Sequence, residues 1–235
     1  MKVSIIIPVY NEFRTFHQVL ERVRQAPLPA GCTMEILVIN DGSTDGSTQV
    51  IEEQARAGIV VGLHAARNFG KGAAIRTGIT LASGEIVLIQ DGDLEYDPND
   101  YARILAPIVD GEADVVYGSR FLGASGRPTG MAWKNWVANR ILTVAANLMY
   151  NIRLTDEATA YKAFRISVLR QVELTCQRFE FCPEVTAKLS RMGYRIAEVP
   201  IRYNARGIAG GKKIRARDGF QALWTLIRLR KHRAA

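Results

Sequence analysis

Residues 34–45 read MEILVINDGSTD: an apolar, partly β-branched run that stops at asparagine, aspartate and glycine, with serine, threonine and a second aspartate after them. The run is too short for an ordinary helix and too uniformly apolar for a strand wetted on one face. It is therefore expected to be a strand buried on both sides, and its polar sequel is suited to capping the helix that follows. The same unit recurs on either side. KVSIIIPV from Lys2 to Val9 predicts a first strand, followed by a helix from about Glu12 to Gln25. Ile59 to His64 predicts a third strand, Gly70 to Ala82 a small-residue helix, EIVLIQ from Glu85 to Gln90 a fourth strand and ADVVY from Ala113 to Tyr117 a fifth. Such alternation predicts an α/β fold, a Rossmann-like and mostly parallel sheet flanked by helices.

In sheets of this kind ligands bind beyond the carboxyl ends of the strands. Here those positions are polar: Pro8 to Glu12 (PVYNE), Asn40 to Ser43 (NDGS), Arg67 to Gly72 (RNFGKG) and Asp91 to Asp93 (DGD). All four are expected to converge on one crevice. Beyond Tyr117 the pattern changes to a glycine-rich loop (GSRFLGASGRPTG), a long helix from about Met131 to Tyr150, and LTDEATAYKAFR from Leu154 to Arg165, which together are expected to hold a second substrate. A helix from Pro183 to Met192, a strand from Tyr194 to Ile201, a basic glycine-rich loop from Tyr203 to Lys213 and an amphipathic helix from Phe220 to Arg230 complete the reading.

The chain has 235 residues, enough to bury a core without disulfides or a structural metal. Cys32, Cys176 and Cys182 are odd in number and form no CxxC pair, which points away from a disulfide framework and a zinc site. A cytoplasmic location is expected, since the N-terminus enters an apolar strand with no leader-like segment before it. No window approaches the roughly 18 uninterrupted apolar residues of a spanning helix. The net charge of +8 suits an anionic partner. Nucleic acid is disfavoured, because the basic residues are dispersed and accompany no helix-turn-helix, RNA-recognition or zinc signature.

Two carboxylates flanking a glycine at the mouth of a strand can share one hard cation, Mg²⁺ or Mn²⁺, with positions left for phosphate. The same tripeptide also marks ordinary solvated turns, and its place after the fourth strand favours the metal reading. Beside the diphosphate of a sugar nucleotide, such a cation would offset leaving-group charge as a Lewis acid, the role expected of Asp93. The run Gly70-Lys71-Gly72-Ala73-Ala74 offers either a helix N-terminus for part of a nucleotide or tight packing through small residues. His17, His64 and His232 are scattered and are expected to be structural or exposed, and no G-x-S-x-G elbow or Cys-His pairing suggests covalent catalysis.

In order and spacing, PVYNE, NDGSTDGST, RNFGKGAAIRTG and QDGDLEYDP resemble the inverting family 2 glycosyltransferases of GT-A fold. GSRF, LTDEATAYKAF, FEFCPEVTAKLSRMGYRIAEVPI and the basic GGKKI loop make the second half most similar to dolichol- and polyprenyl-phosphate mannose or glucose synthases. The resemblance implies a UDP- or GDP-sugar donor, Mg²⁺ or Mn²⁺, a polyprenyl phosphate acceptor and one inverting displacement. It implies that Pro8, Tyr10, Asn11, Glu12 and Asp41 hold the nucleoside with Lys71 near it. Asp91 would sit by the ribose and diphosphate and share the metal with Asp93, flanked by Gln90 and Glu95. Arg120 and Arg140 would face the acceptor phosphate, and Lys212 and Lys213 would lie in a loop closing over the donor. The chain departs from the family at Asn40, where a second aspartate is common, and at Glu95, where glutamine is frequent.

An ionised phosphate acceptor needs no general base. A hydroxyl acceptor would need one, with Asp156 or Glu157 as candidates, and Asp156 reads equally well as a loop cap. A non-catalytic sugar-nucleotide-binding protein is a further reading, disfavoured by the intact Asp91 and Asp93. Residues 1–214 are expected to form the catalytic domain and residues 215–235 a basic amphipathic helix. Phe220, Leu223, Trp224 and Ile227, with Arg228, Arg230, Lys231 and Arg233 after them, suit either contact with the inner face of a membrane or packing on the domain itself. Trp133 and Trp136 near Lys134 and Arg140 form a second candidate interface.

Overall fold

The computed structural model describes residues 1–123, 126–205 and 216–231. Lys212, Lys213, His232 and Arg233 lie outside the described residues, as does most of the basic loop. In chain order the elements are β1 (Lys2–Val9), α1 (Phe13–Arg24), β2 (Thr33–Asn40), α2 (Ser47–Arg56), β3 (Val61–His64), α3 (Lys71–Leu81) and β4 (Ile86–Ile89). A single 3₁₀ turn at Pro98–Asp100 leads into α4 (Tyr101–Val109). There follow β5 (Val115–Ser119), α5 (Trp133–Tyr150), β6 (Lys162–Arg165), α6 (Ile166–Leu169), α7 (Phe181–Arg191), β7 (Ile196–Pro200) and α8 (Ala216–Lys231).

The seven strands among the described residues form one sheet in the order β3-β2-β1-β4-β6-β5-β7. β1 is parallel to β2 on one side and to β4 on the other, which puts the topological switch point between the first and fourth strands. Both are buried on both faces, as their unbroken Ile, Val and Leu runs require. One apolar cluster joins β1 to α1 and α4, and a second joins the opposite face to α3 and α7.

The sheet departs from the expected pattern at β6, which runs antiparallel between β4 and β5, with Ala163 opposite both Leu88 and Val116. Its four residues, KAFR, are too short to show a period, and both ends carry charge, so sequence pattern leaves it inside a loop. Its effect is to bring the segment before it, including Asp156 and Glu157, to the carboxyl end of β5.

One face of α8 packs on the domain itself, the second of its two expected readings. Leu226 and Leu229 are buried in a third cluster with Ala146 of α5 and Ala187 of α7, and Ala222 is buried as well. Tyr150 Oη donates to the Leu226 carbonyl at 2.7 Å and Arg191 to that of Leu229 at 2.8 Å. Phe220 and Trp224 instead face solvent, 77% and 61% exposed, and Leu223 and Ile227 are half-buried. On α5, Trp133, Ile141, Val144 and Leu148 form an outward apolar stripe. No described helix is long and apolar enough to cross a membrane.

Candidate active site

Four strand-exit loops close into a ring, each tied to the next. After β1, Asn11 adopts a positive φ of 51°, which an asparagine tolerates, and turns its Oδ1 to accept from the Thr44 N–H at 2.7 Å. Its own N–H donates to Ser43 Oγ at 3.0 Å, and the Phe13 N–H reaches Asp45 at 2.9 Å. The loops after β1 and β2 are thereby interlaced.

The second and third loops meet at Asp41. Its two oxygens accept from the N–H groups of Phe69 and Gly70, each at 2.8 Å. Gly42 makes the close approach feasible, since a Cβ there would stand 2.5 Å from the Arg67 carbonyl carbon. Burial pushes the Asp41 carboxyl up and these two hydrogen bonds only partly reverse the shift. At 4% exposure Asp41 shapes the wall of the crevice, whereas the neighbouring Pro8, Tyr10 and Glu12 are half-buried along its rim.

Of the two readings of the α3 start, the structure shows the packing through small residues. The N–H groups of Gly72 and Ala73 donate to the carbonyls of Arg178 and Gln177, both at 2.9 Å, and a side chain at Gly70, whose φ is 102°, would overlap the Gln177 carbonyl oxygen. What the helix start contributes to the site is Lys71, whose ammonium pairs with Asp91 Oδ1. Burial pulls that ammonium down, but Asp91 and other negative neighbours outweigh it and its pKa is raised. The ring closes where Thr15 Oγ1 contacts the Glu12 carboxylate at 3.0 Å and the Gly92 carbonyl at 3.4 Å.

Beneath the DGD turn, Gln90 is fully buried. Its Oε1 accepts from Tyr101 Oη at 2.8 Å and Tyr161 Oη at 2.6 Å, and its Nε2 donates to the Asp91 carbonyl at 2.8 Å. A polar residue ending an apolar strand was the available signal for this network; the partner tyrosines carry none. Asp93 is 7% exposed and its Oδ1 accepts from the Glu95 N–H at 2.9 Å, fixing the turn. Among the described residues no group of three or more carboxylate, imidazole or thiol side chains converges on one point. Two carboxylates with the rest of the shell from phosphate and water is the usual arrangement for Mg²⁺, so the oxygen donors at Asp91 and Asp93 fit that cation.

After β5 and on α5, Arg120 and Arg140 flank one ring: their guanidinium carbons lie 5.4 and 5.9 Å from the Phe121 centroid. They differ in state. Arg140 is exposed, whereas Arg120 is 9% exposed and bidentate to Asp156, at 2.6 and 2.7 Å. Asp156 also accepts from the Arg120 N–H at 3.0 Å, and Glu198 fixes the Asp156 N–H at 3.0 Å. Of the readings of Asp156, this geometry favours a structural role over that of a base for a hydroxyl acceptor: it is fully buried and both oxygens are held by Arg120. Glu157 is also fully buried, and burial pushes its pKa up to about 7 against the pull of Lys162 and Thr186. It faces the interior, where Lys162 lies over the Tyr117 ring at 3.3 Å.

Known proteins share the sequence pattern and the fold of this chain. Residues 4–173 match the model described as Glycosyl transferase family 2. The chain belongs to that family. Over 98% of its length it is 31% identical to an undecaprenyl-phosphate mannosyltransferase of Micrococcus luteus, of which it covers 99%. It is 28% identical to a dodecaprenyl-phosphate galacturonate synthase of Rhizobium johnstonii, over 88% of this chain but only 60% of that protein's length. Among solved structures, glucosyl-3-phosphoglycerate synthase from Mycobacterium tuberculosis, in complex with UDP, superposes with a TM-score of 0.73 at 20% identity, covering all of this chain and 82% of that one. The fold of this family 2 glycosyltransferase is therefore the expected GT-A architecture.

Proposed function

We propose that this glycosyltransferase moves a hexose from a UDP- or GDP-sugar to a polyprenyl phosphate at a membrane surface, with Mg²⁺ or Mn²⁺ at the donor diphosphate. The observation that carries the reading is that the loop bearing Asp91 and Asp93 and the cluster of Arg120 and Arg140 around Phe121 meet at Tyr203, whose phenol bonds Glu95 and whose ring lies against Arg120. The names of the Micrococcus and Rhizobium relatives support the lipid phosphate, and the UDP complex of the structural neighbour supports a nucleotide in the crevice.

In this reading the rim from Pro8 to Glu12 receives the nucleoside, and Lys71, already beside Asp91, lies within reach of the diphosphate. The cation held at Asp93, with Asp91 beside it, would supply Lewis-acid relief of the charge that develops as the nucleoside diphosphate leaves. The acceptor phosphate is ionised, so the protein needs only to orient it by charge-assisted hydrogen bonds. The exposed Arg140 meets it first. Arg120, oriented by its pair with Asp156, lies behind it. The anomeric carbon is attacked in line and inverts. The engagement of Asp156 by Arg120 favours this route over a hydroxyl acceptor, which would require a base in that place.

Phe220 and Trp224 on α8, the α5 stripe and the neighbouring Lys134, Arg228 and Arg230 support attachment to an anionic leaflet, where each cation contributes on the order of 1 kcal/mol. Calorimetric titration of Mn²⁺ with UDP or GDP tests the donor side. Asp93→Ala is expected to lose metal-dependent nucleotide binding while its circular dichroism stays that of the parent. Undiminished metal-dependent binding in that variant would remove Asp93 from the site.

A further inference from the structure

Tyr203 touches both halves of the site. It follows β7, pairs with Tyr96 as an isolated antiparallel bridge, and is succeeded by Asn204, whose N–H donates to the Glu95 carbonyl at 2.8 Å. Its phenol donates to Glu95 Oε2 at 3.0 Å, two residues beyond Asp93. The ring of the same side chain has the Arg120 guanidinium carbon 5.0 Å from its centroid and meets the Tyr96 ring edge-on at 5.3 Å. Tyr96 in turn stacks on Tyr161, one of the two phenols held by Gln90 beneath the DGD turn. One side chain thus links a carboxylate of the metal loop to an arginine of the acceptor wall.

We propose that Tyr203 is a positioning residue that couples the two half-sites, so that a cation and nucleoside diphosphate at the 91–95 loop set the affinity of the Arg120 wall for a phosphate. This rests on the donor and acceptor assignment above. Coupling needs an element with two arrangements that both sites bias. Here they are Glu95 bonded to the Tyr203 phenol, as observed, and Glu95 turned towards a cation beside Asp93. In the first, the anchored phenol holds its ring against Arg120. In the second, the phenol is released, the ring can move off the guanidinium, and Arg120 becomes available to an incoming phosphate.

The test is calorimetric titration of the full chain with farnesyl phosphate, with and without Mn²⁺ and the nucleoside diphosphate that the chain binds. The parent is expected to bind farnesyl phosphate at least about fivefold more tightly when metal and nucleotide are present. Tyr203→Phe, which keeps the ring and loses the bond to Glu95, should bind it tightly in either condition, removing the coupling from the loose side. Glu95→Gln, which still accepts from the phenol but draws a cation weakly, should remove it from the opposite direction, binding loosely in both. Equal affinity in the two conditions for the parent, or undiminished coupling in either variant, overturns the proposal and leaves the functional reading standing. Failure of the parent to bind farnesyl phosphate in any condition overturns both.

Discussion

Replacing Asp156 by asparagine separates a structural carboxylate from a catalytic one. Arg120 and Asp156 form a bidentate pair whose side chains are 6% and 0% exposed, with a further hydrogen bond from the Arg120 N–H to the same carboxylate. Neutralising the aspartate leaves a guanidinium buried without its counter-charge, and breaking a buried pair in this way costs about 3–5 kcal/mol. In a chain of this length each kcal/mol lowers the melting temperature by roughly 2–4 °C, so the variant should melt roughly 6–20 °C below the parent. Differential scanning calorimetry, or thermal unfolding followed by circular dichroism, reads the shift. Combining Arg120→Met with Asp156→Leu should recover most of it, because apolar replacement of both partners leaves no orphaned charge. A general base would behave otherwise, losing turnover at unchanged stability. An Asp156→Asn variant that melts within about 2 °C of the parent would refute the argument from burial.

Arg140→Ala should raise the KM for a polyprenyl phosphate by about tenfold and leave the KM for the sugar nucleotide near its parental value, since one charge-assisted contact to the acceptor is lost; steady-state kinetics with each substrate varied in turn checks it. Glu157→Gln should flatten the pH dependence of stability. The folded-state pKa of Glu157 is raised from 4.5 to about 7, so the fold prefers the neutral acid and the carboxyl subtracts stability as pH rises across that interval, with no further loss above it. Melting temperatures at pH 5 and pH 8 should therefore differ less in the variant. Glu184 has the opposite sign. Hydrogen bonds from Lys188, Thr175 and Cys176 overcome the effect of burial and hold its pKa near 2, so its contribution is present above pH 4.5 and fades as pH falls towards 2, a slope that Glu184→Gln should reduce.

Strand positions and the loops after them were legible because parallel strands buried on both faces leave continuous apolar runs, and the first run, Lys2–Val9, is bounded as expected. The convergence of PVYNE, NDGS, RNFGKG and DGD follows from topology alone and is what the hydrogen bonds of Asn11, Asp41 and Thr15 express. The antiparallel β6 was not legible, since four residues with charged ends carry no period. Nor was the state of the charges. Arg120 and Asp156 stand 36 residues apart in sequence, and only the fold shows that they neutralise each other while Arg140 remains exposed. The same limit applied to the start of α3, where glycines suited to an anion instead admit the backbone at Gln177 and Arg178. The two apolar faces of α8 were visible in sequence as one undivided amphipathic pattern, and packing against α5 and α7 assigned one of them inward.

The central claim is transfer of sugar to a lipid phosphate, and its most direct measurement is release of nucleoside diphosphate from UDP- and GDP-sugars with Mg²⁺ or Mn²⁺, in the presence and absence of a short polyprenyl phosphate. The account predicts release that requires the metal and is strongly stimulated by the lipid phosphate, with the sugar recovered on the lipid. Release indifferent to the lipid, or undiminished when the metal is chelated, would contradict it.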